Sequence, residues 1–223
     1  MLEDNGDTNI TPKETKSIIF QSIKTFFIYA IICAIPPVIL RWDAMLREEF
    51  ISEISLTENL QLLMLVCTVA LFVHIAYKTK SLRRACILIA GFFLALFIRE
   101  NDARLDSIYH GFWFPIALVV SLAAISYFMF DYKNAFTQFA LLLKAPPMQL
   151  MIFSLALLLV FSRLFGMGSF WRMIMQEHFI YGVKSMIEEG TELLAYISIC
   201  YASFKLNRFV FSHDKQKETH KIA

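Results

Sequence analysis

A chain of 223 residues that is 57% apolar and 15% aromatic, with only 7 glycines, carries far more apolar material than a soluble domain of that length needs. The formal net charge of +2 is small enough to follow from membrane topology, so no nucleic-acid partner is expected. Cys33, Cys67, Cys86 and Cys200 each lie in an apolar stretch without C-x-x-C spacing, which argues against a disulfide framework or a zinc cluster.

The expected fold is all-α: a polytopic membrane helix bundle of about six transmembrane helices plus one interfacial helix. Residues 1–17, MLEDNGDTNITPKETKS, are polar and lack a charged n-region followed by a cleavable small-residue site, so they read as a cytoplasmic tail and not a signal peptide. Residues 18–210 form a single transmembrane domain, with candidate spans at 18–40, 58–77, 84–103, 112–130, 148–167 and 188–208. Pro36 and Pro37 remove backbone donors late in the first span and should distort it. Between the second and third spans, KTKSLRR is the clearest basic loop. Only Arg41, Arg47, Arg99, Arg104, Arg163, Arg172 and Lys184 fall away from that side, and the positive-inside rule then places both termini in the cytoplasm. Trp42, Trp113 and Trp171 fall near the opposite interface, as an aromatic belt requires. Pro146 and Pro147 read as the start of the fifth span. Segment 169–187 is too polar to cross and reads as an interfacial helix, while residues 211–223 form a charged cytoplasmic tail.

Two spans fall short of about 20 apolar residues and must draw charged residues toward the bilayer. The uncharged run 193–204 supplies 12, so Glu188, Glu189 and Glu192 sit at or inside the boundary opposite Lys205. The run 85–98 supplies 14, which brings in Arg99, Glu100, Asp102 and Asp106. Ionisable groups at such depth are functional candidates by default. Asp102, Asp106 and His110 follow an i, i+4, i+8 spacing and would share a face if the helix persisted, although Gly111 is placed to end it. Glu188 and Glu192 share a face, with Glu189 turned about 100° away. In the second span Glu58, Gln61 and Thr68 form a polar stripe. SLTENLQLL there is also faintly echoed by EEGTELLAY in the last span.

These residues support several chemistries. As an ion-pair network, Arg99, Arg104 and Arg163 would hold the carboxylates and tie helices together where lipid offers no hydrophobic drive. In an enzyme, Glu58, Asp102, Asp106, His110, Glu188 and Glu192 would supply catalytic groups, with Arg99, Arg163 and Trp113 binding a lipid or envelope substrate. A divalent metal is the one cofactor such a cluster suggests, with Glu100, Asp106, His110 and Glu192 as ligands, although no H-E-x-x-H motif is present. In a proton- or ion-coupled transporter, Glu58, Asp102 and Glu192 would line a pathway. Met173, Met175 and His178 could offer soft copper ligands, but methionines on an interfacial face more commonly pack. The bilayer is the expected partner, and a second membrane protein or a homo-oligomer is left open.

Taken together, TENLQLL, IRENDARLDSIYHGFW and EEGTELL resemble a pattern in uncharacterised bacterial inner-membrane proteins. That resemblance covers most of 57–114 and 188–195 and implies a small multi-span fold in a bacterial inner membrane, with no reaction attached. EEGTELL also resembles the EGxTEFLP stretch of undecaprenyl-diphosphate phosphatases, but this chain lacks their PGxSR-type phosphate motif and the proline-serine continuation.

Overall fold

In the computed structural model, residues 11–46, 55–107 and 109–222 are described, with backbone alone at 46 and 213–222. Arg47 and most of the acidic N-terminal tail lie outside them. All regular structure among the described residues is helical. In chain order the helices are α1 (Pro12–Leu46), α2 (Leu56–Lys78), α3 (Arg83–Glu100), α4 (Asp102–Asp106), α5 (Trp113–Met129), α6 (Tyr132–Leu143), α7 (Pro147–Ala156), α8 (Ser162–Phe165), α9 (Gly168–Met175) and α10 (Tyr181–Ile222).

Four stretches are long and apolar enough to cross a membrane: Pro12–Met45, Leu56–Lys78, Lys80–Glu100 and Pro147–Phe165. A fifth exists if α5 and α6, bent by 102° at their junction, count as one span. The sixth candidate, 188–208, is not among them, because too many charges interrupt its apolar run. It lies inside α10, which is the central helix of the bundle and packs against α1, α2 and α7. Around it the core gathers Leu65, Phe72, Phe93, Met151, Tyr196, Ile199 and Leu206, with Phe72 and Phe93 stacked at 6.1 Å. On the outer surface the large apolar side chains Phe20, Phe26, Val119 and Phe153 are exposed, as a lipid-facing surface requires.

Helix ends follow local chemistry. α1 begins at Pro12, well before residue 18. Thr11 Oγ accepts the Glu14 N–H at 3.3 Å while the Glu14 carboxylate accepts the Thr11 N–H at 3.0 Å, a capping box with proline in the first turn. α1 then runs through Pro36 and Pro37 without a break in its helical assignment. At its far end buried Asp43 crosses to α2, accepting the Leu56 N–H at 3.0 Å, the Thr57 N–H at 2.9 Å and the Thr57 hydroxyl at 2.5 Å. That carboxylate answers the unsatisfied donors and positive dipole end of α2.

At the other end of the bundle, Arg84 holds the α5–α6 corner. Its Nη1 donates to the Tyr127 carbonyl at 2.6 Å, its Nε lies 3.8 Å from Asp131, and its guanidinium lies over Tyr127 and Phe130. Arg84, the last residue of the basic KTKSLRR segment, is thus tied to that corner, while Lys78 and Lys80 are exposed. Gly91 supplies the close approach of α3 to α5, where an added Cβ would overlap the Ala124 side chain.

Three expectations change. The third span stops at Glu100, and the chain turns at Asn101, so Asp102 and Asp106 fall in the separate helix α4. Segment 169–187 is not one helix: Gln176 adopts a left-handed backbone (φ 47°), which ends α9, and α10 has begun by Tyr181. The C-terminal tail is not separate from the last helix, since α10 continues to Ile222.

Candidate functional site

The site is built on one stripe of α10. Lys184, Glu188, Glu192 and Tyr196 follow one another at four-residue spacing, so each lies roughly above the last on the helix surface. Arg163, at the start of α8, meets this stripe from the side. Its Nη1 is 3.4 Å from Glu188 Oε1, and its Nη2 is 3.0 Å from Glu192 Oε1. The second contact is set off the hydrogen-bonding line, so Glu192 Oε1 is buried with a charge partner but no hydrogen bond. Lys184 Nζ pairs with the second oxygen of Glu188.

From α3 comes the other half. Arg99 Nη2 lies 3.2 Å from Glu100 Oε1, and the Tyr196 hydroxyl donates to that same oxygen at 2.9 Å. Glu192 stands within electrostatic range of Glu100, Glu188, Arg99 and Arg163. Three helices thus bring three carboxylates and three cations to one end of the bundle. The Glu192 side chain is only 9% exposed whereas that of Arg163 is 43% exposed, so the arginine links a buried carboxylate to the surroundings.

Two local features place these groups. Between α7 and α8 the chain makes a π-turn, Leu157–Phe161, and Arg163 follows two residues after it. Such turns shift the register of a helix and recur at functional sites. Ser162 is buried there, with its hydroxyl on the Leu158 carbonyl at 2.5 Å. Beyond Arg163, Gly166 leaves room for Glu188: a Cβ at that position would come within 2.7 Å of the Glu188 carboxyl carbon.

The remaining candidates lie elsewhere. His110 is 98% exposed and faces Asp106 at 3.5 Å, while Asp106 also accepts the Gly111 N–H at 3.0 Å. α4 has already ended at Asp106, and Gly111, just past His110, has φ 80°, so no helix carries His110. Asp102 is exposed and accepts the Ala103 N–H. Arg104 joins this outer patch and not the buried network, donating to Asn59 Oδ1 at 2.9 Å. Glu58 is half-buried in the first turn of α2, its N–H on Ser55 Oγ. Trp113 opens α5, edge-on to Phe114. The four proposed metal ligands are accordingly divided, Glu100 and Glu192 within the network and Asp106 and His110 outside it. Among the described residues no three His, Cys, Asp or Glu side chains stand close enough together to hold a metal ion.

Asp43, Lys184 and Tyr196 are site or support residues that the sequence reading passed over. For Lys184 and Tyr196 the signal was present as four-residue spacing from Glu188 and Glu192. Asp43 had no such signal, because its partners are 13 and 14 residues away across a helix junction. Compared with family models, with curated proteins and with solved structures, the chain matches none. The functional reading therefore rests on the site itself.

Proposed function

We propose that the chain is a multi-pass membrane protein whose working centre is the Glu192–Arg163 site. In this reading it crosses the membrane six times: α1, α2, α3, the bent α5–α6 pair, the stretch Pro147–Phe165 and α10. Both termini are cytoplasmic, and the membrane is a bacterial inner membrane. Arg84 beside Asp131, and Lys205 with Arg208 beside Pro146, support a basic end. The Arg99, Glu100, Arg163 and Glu188 cluster supports an opposite, periplasmic end.

The site is a carboxylate-dependent centre for a lipid or envelope substrate. Arg163 holds a negatively charged headgroup through its exposed face, and Glu192 exchanges a proton with the bound group. The observation that carries this reading is the buried Glu192 oxygen without a hydrogen bond, since such atoms are rare and call for a role. Glu100, held by Tyr196 and Arg99, supplies a second carboxylate in a different setting, the condition for dividing acid and base roles between two groups. A non-catalytic reading has its own support. Arg163 contacts both Glu188 and Glu192, as a network that only ties α8 to α10 would require.

The two readings part on Glu192→Gln. Wild type and variant are reconstituted with a bacterial lipid extract, and the extract is followed by mass spectrometry. The expected result is a lipid species consumed by wild type and untouched by a variant that folds and melts normally. A normal melt for the variant with no lipid species changed by wild type would overturn the catalytic reading.

A further inference from the structure

On α10, Lys205 lies 13 residues beyond Glu192, about 20 Å along the axis, and so at the other end of the bundle. A groove of about 370 Å³ opens there between α1, α7 and α10, lined by Tyr29, Pro146, Pro147, Leu150, Lys205 and Arg208. We propose that this groove binds one glycerophospholipid with an anionic headgroup, its phosphate between Lys205 and Arg208.

Charge complementarity identifies the occupant. Lys205 and Arg208 are one helical turn apart, and neither is paired with a carboxylate among the described residues. Aromatic rings position both: Lys205 Nζ lies 5.6 Å from the Tyr201 ring centre, and the Arg208 guanidinium 5.9 Å from that of Phe204. Tyr201 packs edge-on against Tyr29 of the groove wall at 6.1 Å, which braces the lysine from α1. Pro146 and Pro147 have no N–H, and the Ser212 hydroxyl is already given to the Phe209 carbonyl at 3.0 Å, so the two cations remain to meet a ligand. Leu150 and Phe209 supply apolar wall beside them. An ionic headgroup site bordered by apolar wall, at the end of a bundle whose outer surface is apolar, fits a lipid better than a free anion.

The full chain in phosphatidylcholine micelles is titrated with phosphatidylglycerol and its melting temperature followed. Phosphatidylglycerol raises the melting temperature, while added phosphatidylcholine or inorganic phosphate does not. Lys205→Gln with Arg208→Gln weakens the half-maximal lipid concentration about thirtyfold, and Arg208→Gln alone, at an exposed position, about fivefold. Equal responses to both lipids, a matching rise with phosphate, or an unchanged titration in the exposed single variant would overturn the proposal.

Discussion

Arg163→Met is expected to lower the stability of the detergent-solubilised protein by about 2–3 kcal/mol. The wholly buried limit for losing one partner of an ion pair is about 3–5 kcal/mol. Arg163 falls below it because 43% of its side chain is exposed and solvent screens part of the interaction. What remains large is the fate of Glu192, a buried carboxylate whose oxygen nearest the arginine has no hydrogen bond to replace the lost charge. Glu192→Gln alone should cost under about 1 kcal/mol, since the released arginine can turn to its exposed side. The double variant should then recover most of what Arg163→Met loses, a coupling typical of residues in direct contact. Thermal melts of the four proteins check this. A double variant as unstable as Arg163→Met would show that the arginine supports the bundle through something other than Glu192.

The second large effect concerns the helix crossing that carries Arg99 and Glu100. Gly91→Ala puts a methyl where the Ala124 side chain already stands, so α3 and α5 must separate, at a cost of about 1–3 kcal/mol for overpacking. Ala124→Gly alone leaves a small void and costs about 1 kcal/mol. Combined, the two changes move one methyl from α5 to α3 and should restore a near wild-type melt. Failure of the pair to rescue would mean that the crossing depends on Gly91 for some reason other than space.

Much of the fold is legible in the residues. The apolar runs on either side of the basic KTKSLRR segment locate α2 and α3, and Pro147 begins α7, whereas the helix expected to run to Gly111 ends earlier, at Asp106. The capping box in T-P-K-E also announces the start of α1, yet a reading by apolar onset begins later, because the first turns are polar. The π-turn at LLLVF has no local signature: these residues suit an ordinary helix, and the difference lies in the backbone, where the Ser162 N–H donates to the Leu157 carbonyl.

The candidate site is legible as a set of charges but not as a set of contacts. Seven carboxylates fall toward one face in the sequence, and the turn at Asn101 decides which of them meet. It leaves Glu100 inside and carries Asp102, Asp106 and His110 outward. Tyr196 is hidden for the opposite reason, since a tyrosine within the 193–204 run reads as packing until its hydroxyl is seen on Glu100.

All of this depends on α10 crossing the membrane, with its acidic stripe at one face and Lys205 at the other. The direct measurement is labelling by a membrane-impermeant maleimide in intact cells, on a background with the four native cysteines replaced by serine. Tyr181→Cys and Ser212→Cys probe exposed positions at the two ends. The account predicts labelling at position 181 from outside, and at 212 only after permeabilisation. Labelling of both from the same side would contradict it.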